Sequence, residues 1–319
     1  EFRFAVMGAG KIAVKFCDAV QRIPGCRVAA VSSKSMERAN EFAQKHGIPA
    51  AYGSYVEMLE REKPDCVYIA VTPHAHYDLC MLCLDHGTPI LCEKAMFLNS
   101  MQAETVFSRA AQQRVFVMEA MWSRFLPANR IARQWLCDGL IGDPVLVDVG
   151  IGFVAPPDAE NRYRNPELGG GVAYDLTVYA YELATFFIDQ PVRHVQVEAL
   201  WSRSGIDETE QVTLRFDTAM ASLRTTFAAA MEDRLVVYGT KGRIVVPFPH
   251  FASEAFLYDE KKQQVRHFQD QETKNGFVYE LQETIDCIGK GRIESDVVPH
   301  ALTIDCSKVF DRIQQTKDG

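Results

Sequence analysis

Phe4-Ala5-Val6-Met7-Gly8-Ala9-Gly10-Lys11-Ile12-Ala13 decides the fold. Four apolar residues read as a buried strand, a glycine-rich turn follows, and a helical pattern begins at Lys11. The turn is the G-x-G-x-x-A form of the dinucleotide fingerprint. Gly8 permits the tight bend, Gly10 lets a pyrophosphate approach the backbone, and Ala13 keeps helix and strand close. The first N–H groups of the helix, around Lys11 and Ile12, carry partial positive charge toward phosphate oxygens. In isolation such a motif is weak. At the first strand–helix junction of a chain it is strong.

Working outward, residues 4–7, 28–32, 67–71, 90–92 and 115–119 are short apolar runs of the kind buried in parallel sheets. Helical patterns occupy 11–23, 35–46, 54–61, 75–85 and 100–113 between them. This alternation predicts a doubly wound parallel sheet, a Rossmann domain, over residues 1–121. After Met121 the pattern changes. A helix at 128–137 precedes strands at 145–153, 195–201, 211–216, 221–227, 235–238, 243–246, 255–258 and 265–268. Further helices fall at 172–187, 278–288 and 301–315. Residues 122–319 therefore read as an α+β domain with an open, mostly antiparallel sheet. One face is expected to carry helices, and the other to meet a partner.

Composition narrows the function classes. The chain has 319 residues, 47% hydrophobic and 24% charged, with a formal net charge of −8. That balance argues against a nucleic-acid partner, which wants a basic face. No apolar run reaches the ~20 residues needed to span a bilayer. The first residues read directly as a strand, without a basic n-region or cleavage site. Nine scattered cysteines suit reduced thiols rather than a disulfide framework. A cytoplasmic protein is expected. Cys80 and Cys83 have half-zinc spacing, but no second pair lies at matching distance, so both read as core thiols and no metal is expected.

The end of the second strand bears on the cofactor. An NAD site usually places Asp or Glu there for the ribose 2′-hydroxyl. This chain has Ser32, Ser33 and Lys34, with Arg38 one turn on and no acid before Glu37. Hydroxyls plus cations suit a 2′-phosphate, so NADP is the expected cofactor, with NAD the alternative. The plainer reading of Lys34 and Arg38 is as solvated surface charges.

Chemistry concentrates at two further places. The third strand ends in Val71-Thr72-Pro73-His74-Ala75-His76, and in this type of fold Thr72 and Pro73 lie over the cofactor. His76 reads first as a helix cap or buttress. The fourth strand delivers Glu93-Lys94 to the carboxyl edge, where open α/β sheets bind ligands. In the second domain, Gly169-Gly170-Gly171 precedes a helix carrying Asp175 and Tyr179 four apart, on one face. The glycines point to a close backbone approach, by a ligand or by the other domain. Tyr174 and Tyr181 fall on other faces. A phenol titrates near ~10 and is a poor base at neutral pH. A nearby ammonium favours the phenolate. Lys94 and Tyr179 thus make a workable acid/base pair for moving a hydroxyl proton. The plainer readings are a Glu93–Lys94 salt bridge and a core tyrosine.

Gly8-x-Gly10-x-x-Ala13, Thr72-Pro73-x-x-His76, Glu93-Lys94, and Gly170-Gly171 followed by Asp175 and Tyr179 together resemble the Gfo/Idh/MocA oxidoreductase family over essentially the whole chain. Tyr179, with Met118-Glu119-Ala120-Met121-Trp122-Ser123-Arg124-Phe125-Leu126-Pro127, is similar to its dimeric dihydrodiol dehydrogenase and NADP-dependent D-xylose dehydrogenase branch. The resemblance implies that Lys94 and Tyr179 serve catalysis, and Asp175 is expected to orient the substrate or Lys94. It places Trp122 and Arg124 near the nicotinamide and substrate, and with them Gly8, Gly10, Lys11, Ile12, Ser32, Ser33, Lys34, Arg38, Thr72, Pro73, His76, Glu93 and Lys94 are the expected cofactor contacts. It implies a polyol or sugar substrate and a homodimer formed through the open sheet, with specificity from loops such as 153–164 and 248–254. The family usually has proline after the lysine, and here Ala95 departs from it. The expected activity is hydride transfer between a sugar or trans-dihydrodiol hydroxyl and the nicotinamide. The alternatives are a non-catalytic NADP sensor, a lyase or hydrolase using transient oxidation by bound NAD, and a biliverdin or imine reductase.

Overall fold

The computed structural model describes residues 1–158 and 160–318; residue 159, inside the expected specificity loop, and residue 319 lie outside the described part. The chain divides into two compact units.

The first unit is built on six parallel strands: β1 (Phe2–Met7), β2 (Cys26–Ser32), β3 (Ala50–Tyr52), β4 (Cys66–Ile69), β5 (Ile90–Glu93) and β6 (Val117–Ala120). Their order is β3-β2-β1-β4-β5-β6, with the direction of winding reversing between β1 and β4. Helices α1 (Lys11–Gln21), α2 (Met36–His46), α3 (Tyr55–Glu62), α4 (His76–Asp85) and α5 (Ser100–Gln113) connect them. The strands are apolar throughout because both faces are covered. Ala5, Met7, Val67, Ile69, Ile90 and Cys92 pack in one buried cluster with Leu79, Cys80, Cys83 and Leu84 of α4 and Val106 and Phe107 of α5. Each fully buried side chain of this size contributes about 1.5–3 kcal/mol. Cys80 and Cys83 are core thiols, and all nine cysteines are free. Strand β3 was not legible in the sequence: it is three half-buried residues at the sheet edge, too short to show a period.

The second unit holds α6 (Pro127–Cys137), β7 (Pro144–Gly152), α7 (Val178–Phe187), β8 (His194–Trp201), β9 (Asp207–Arg215), β10 (Met220–Thr226), β11 (Arg234–Gly239), β12 (Gly242–Pro247), β13 (Glu254–Asp259) and β14 (Gln264–Gln269). The eight strands run in the order β14-β13-β12-β11-β7-β10-β9-β8. Only β7 and β10 pair in parallel; every other neighbour is antiparallel. Pro127 starts α6 at a position whose N–H has no intrahelical partner to lose.

Two expectations need correction. The helix read over 172–187 is not uniform: Ala173–Thr177 form a π-helical turn, and only then does α7 begin. The single cut after residue 121 also fails, because residues 274–307 belong to the first unit. Helix α8 (Phe277–Gly289) buries Phe277, Leu281 and Cys287, and Asn275 ahead of it donates to the Lys15 carbonyl and to Asp18 Oδ2 of α1, both at 2.8 Å. Helix α9 (His300–Gln315) begins in the same unit, with Thr303 Oγ1 donating to Glu119 Oε2 of β6 at 2.8 Å. An amphipathic stripe marks a helix but not the sheet that will receive it.

The bend after β1 tolerates no side chain. Gly8 has φ +110°, and a Cβ there would stand 2.7 Å from the Ala70 carbonyl oxygen. Gly8→Ala is expected to lower stability by about 2 kcal/mol or more, from backbone strain plus the clash. Urea unfolding of the cofactor-free protein checks this, and a midpoint equal to the parent's would contradict it.

Candidate active site

The carboxyl edge of the six-stranded sheet gathers the expected nucleotide residues. Gly8, Gly10, Lys11 and Ile12 follow β1; Ser32, Ser33 and Lys34 end β2; Thr72 and Pro73 follow β4; Glu93 and Lys94 end β5; Trp122 follows β6. Helices α2, α3 and α5 begin with Ser35, Ser54 and Asn99 accepting a backbone N–H. Helix α1 instead begins at Gly10, with no side-chain cap and no acid in its first turn. Among the described residues beyond its own turn, nothing nearer than the Ala70 carbonyl oxygen at 4.0 Å faces the side-chain position of Gly10. Uncapped N–H groups beside open space fit the phosphates of a dinucleotide. At β2, Ser32 is wholly buried and its hydroxyl donates to the Tyr52 carbonyl at 3.2 Å, while Lys34 and Arg38 are exposed. Ser32 therefore ties β2 to β3, while both cations face outward there beside the equally exposed Met36 and Glu37.

Lys94 is half-buried, on a segment gripped from three sides. Glu93 accepts from the Tyr68 hydroxyl and from the Lys94 N–H. His76 faces the Ala95 carbonyl at 3.0 Å and the Val71 carbonyl at 3.1 Å. Glu119 accepts from the Met96 N–H at 2.9 Å. The Lys94–Ala95 peptide bond is cis. His76, expected to bind cofactor, is wholly buried, so it buttresses this segment and the Thr72–Pro73 turn rather than presenting a nitrogen. Burial holds the Glu93 carboxyl above its ordinary range, against the opposing pull of Tyr68, Lys94 and Lys15.

Three groups in this unit escaped the sequence reading. The Lys15 ammonium lies 3.8 Å over the Trp122 ring and 4.5 Å over that of Phe277. Burial lowers its pKa, opposed by the charges of Glu280 and Glu93. Glu280 is wholly buried, and neither carboxylate oxygen has a hydrogen-bond partner among the described residues. Burial, and then the Glu93 charge, push its carboxyl far up. Tyr68 stacks on Phe16 with ring centroids 3.8 Å apart. Glu280 had a readable signal: it stands on the same helix face as Phe277, Leu281 and Thr284, where an apolar residue belongs.

In the second unit Asp175 sits inside the π turn and Tyr179 opens α7. Arg162 reaches Asp175 Oδ1 at 3.5 Å and lies over the Tyr163 ring, and Arg164 pairs with Glu208 at 2.8 Å. The 153–164 loop, expected to set specificity, thus brings Arg162 to Asp175 and folds Arg164 onto its own sheet. The Tyr179 ring lies 5.4 Å from that of His250. His250 sits on a loop held by Asn129, whose Nδ2 donates to the Pro249 and Ser123 carbonyls, both at 2.8 Å. Tyr174, the rival phenol, is buried against Phe310 and accepts from Gln314 Nε2 at 3.3 Å. Arg124, expected beside the cofactor, is buried too. Its guanidinium pairs with Glu182 at 3.0 Å and donates to Thr185 Oγ1 at 2.8 Å, anchoring α7. The close approach expected at the glycines is to the unit itself: Gly171, at φ +130°, leaves its side-chain space to Asp207.

Residues 2–121 match the model of the oxidoreductase family with an NAD-binding Rossmann fold, and residues 129–245 match the Gfo/Idh/MocA C-terminal domain. The trans-1,2-dihydrobenzene-1,2-diol dehydrogenase of Mus musculus is 32% identical over 309 residues, covering 94% of this chain and 92% of its own. The chain belongs to the Gfo/Idh/MocA oxidoreductase family. It is a nicotinamide-dependent dehydrogenase of CH–OH groups. The fold agrees with a 3-ketoreductase from Actinomadura kijaniata in complex with NADP and TDP-benzene (TM-score 0.86, 20% identity, 99% and 97% of the two chains). It agrees equally with a levoglucosan dehydrogenase in complex with NADH and levoglucosan (0.89, 16%, 99% and 97%).

Gly10→Ala should keep the parent's melting temperature and weaken NADP(H) binding about tenfold or more, since it fills the space left for the pyrophosphate. Fluorescence titration reads the affinity; unchanged binding would remove the phosphate from this turn. His76 gives a second test. Burial pushes its imidazole down to about 4 from 6.5. Between those values the unfolded chain binds more protons, so stability from this source is full above pH 6.5 and is lost as pH falls toward 4. His76→Gln should flatten that slope in urea unfolding across the window.

Proposed function

We propose that this protein is an NADP-dependent dehydrogenase moving hydride between a secondary or anomeric hydroxyl of a sugar or trans-dihydrodiol and the nicotinamide. Full-length similarity to dihydrodiol dehydrogenases at 32% identity carries the substrate class. Exposed Lys34 and Arg38 at the end of β2, where an acid for a bare ribose is lacking, carry the preference for the 2′-phosphate.

Bound NADP supplies a hydride acceptor for the electron pair of the carbon–hydrogen bond. The proton of the same hydroxyl goes to Tyr179 as phenolate. Lys94 binds that oxygen, and its ammonium favours the phenolate form. Asp175 orients the substrate or Lys94, with Arg162 setting the direction of its carboxylate. Trp122, under the Lys15 ammonium, forms a wall of the nicotinamide pocket.

The functional form is a homodimer joined through the eight-stranded sheet. Tyr238, Leu146 and Met220 are consecutive partners across β11, β7 and β10 and are 38–45% exposed, an apolar row on the sheet surface. The nine free cysteines fit the reducing cytoplasm.

Tyr179→Phe and Lys94→Met should each reduce turnover by about 10³-fold or more while leaving NADPH binding nearly intact, as expected when an acid/base group is lost. The assay is a panel of aldoses, inositols and dihydrodiols followed at the nicotinamide absorbance. Near-normal rates in either variant would refute the assignment. Lys34→Ala should erode the ratio of kcat/KM for NADP over NAD, and a parent enzyme that prefers NAD would end the case for the phosphate.

A further inference from the structure

Two irregularities meet behind the candidate catalytic helix. Along β9, Leu214, Val212 and Glu210 are buried, each two residues from the next. Strict alternation would bury Glu208 next. Instead the pairing with β8 slips: Leu200 faces Thr209, but Trp201 faces Asp207, leaving Glu208 as an extra residue. The bulge turns Asp207 inward, to 1% exposure beside Glu210 at 2%. Bulges of this kind re-aim a side chain and recur beside active sites. The second irregularity is the π turn Ala173–Thr177, also a feature that favours functional sites.

The two acids hold both ends of that turn. Asp207 Oδ2 accepts from the Ala173 N–H at 2.6 Å, where the turn starts. At its end, the Thr177 hydroxyl donates to Glu210 Oε2 and lies 2.6 Å from Thr225 Oγ1. Asp175 is in the middle of the turn, and Tyr179 follows it by two residues. Two carboxyls in contact away from water cannot both ionise. Burial raises both, and the neighbouring charge of Asp207 raises Glu210 further. Glu210 Oε1 is buried with no donor among the described residues, a vacancy that a proton on Glu210, shared with Asp207, removes. Tyr174 also feels both acids: burial first, and then their charges and that of Asp311, hold its phenol up.

We propose that Asp207 and Glu210 are positioning residues for the dehydrogenation: by accepting from Ala173 and from Thr177 at its two ends, they fix the π turn and so aim Asp175 and Tyr179. The inference rests on the roles given above to those two residues.

The full-length enzyme tests it in three variants. Glu210→Gln keeps a donor for Asp207 and an acceptor for Thr177; Glu210→Leu and Asp207→Leu keep bulk and lose both bonds or the Ala173 acceptor. Glu210→Leu and Asp207→Leu should lose about 10- to 100-fold in kcat, the scale of a misplaced catalytic group, with KM and NADPH affinity within about twofold. Glu210→Gln should recover most of kcat. Amide hydrogen exchange over residues 172–178 should speed up in the leucine variants and stay at the parent rate in Glu210→Gln. If Asp207→Leu does not fold, the Glu210 pair decides alone. Equal rates for Glu210→Gln and Glu210→Leu, or leucine variants that lower only the melting temperature, would overturn the proposal. Tyr179→Phe run in parallel separates the two claims. If it turns over normally, the catalytic part falls with the role of Tyr179. If it is inactive while the leucine variants keep kcat, only the positioning claim falls.

Discussion

The first unit is organised by the contact of Gly8 with the Ala70 carbonyl, the point where the turn after β1 passes the end of β4. These two strands are neighbours at the place where the winding of the sheet reverses, and there the crevice of an open α/β sheet lies. Because no side chain stands between them, the start of α1 and the Thr72–Pro73 turn share one edge. Uncapped N–H groups then point into open space at Gly10. The ends of β2 and β5 bring Lys34 and Lys94 to the same edge, so the candidate cofactor residues are gathered by strand order rather than by any long loop.

Lys94 depends on a different set of bonds. Its segment is fixed at the Glu93 carboxylate by Tyr68, at the Ala95 carbonyl by His76 and at the Met96 N–H by Glu119. Each partner sits on a regular element, and Glu119 is itself locked by Thr303 of α9. A flexible four-carbon side chain gains direction only if its backbone has little freedom, and these side chains remove that freedom. His76 is thus a buried support for the Lys94 segment.

How much of this was legible in the sequence follows from the length scale of each signal. The strand–turn–helix at Phe4–Ala13, the alternation behind it and the eight later strands all announce themselves through local periodicity. Three-residue β3 has too few residues to show one. The assignment of α8 to the first unit turns on which surface receives its apolar stripe, a fact of tertiary packing. Lys94, Asp175 and Tyr179 stood out through motif position. Asp207 could not, because the bulge at Glu208 inverts the parity by which inward residues are recognised. The π turn is hidden for the same reason: its sequence satisfies the ordinary helical period on either side.

Both units bury carboxyls, and buried charged groups are weak stabilisers because the cost of leaving water offsets much of what their partners return. Glu280 and Glu93 share the charge of Lys15, whereas Asp207 and Glu210 are buried together, each carboxyl pushed up by burial. Apolar packing fills space but leaves a helix free to rotate or slide by a fraction of a turn. A hydrogen bond from Ala173 or Thr177 to a fixed oxygen does not, since it weakens steeply with angle. Acids kept at such a cost, beneath a turn that carries Asp175, are explained by direction rather than by stability.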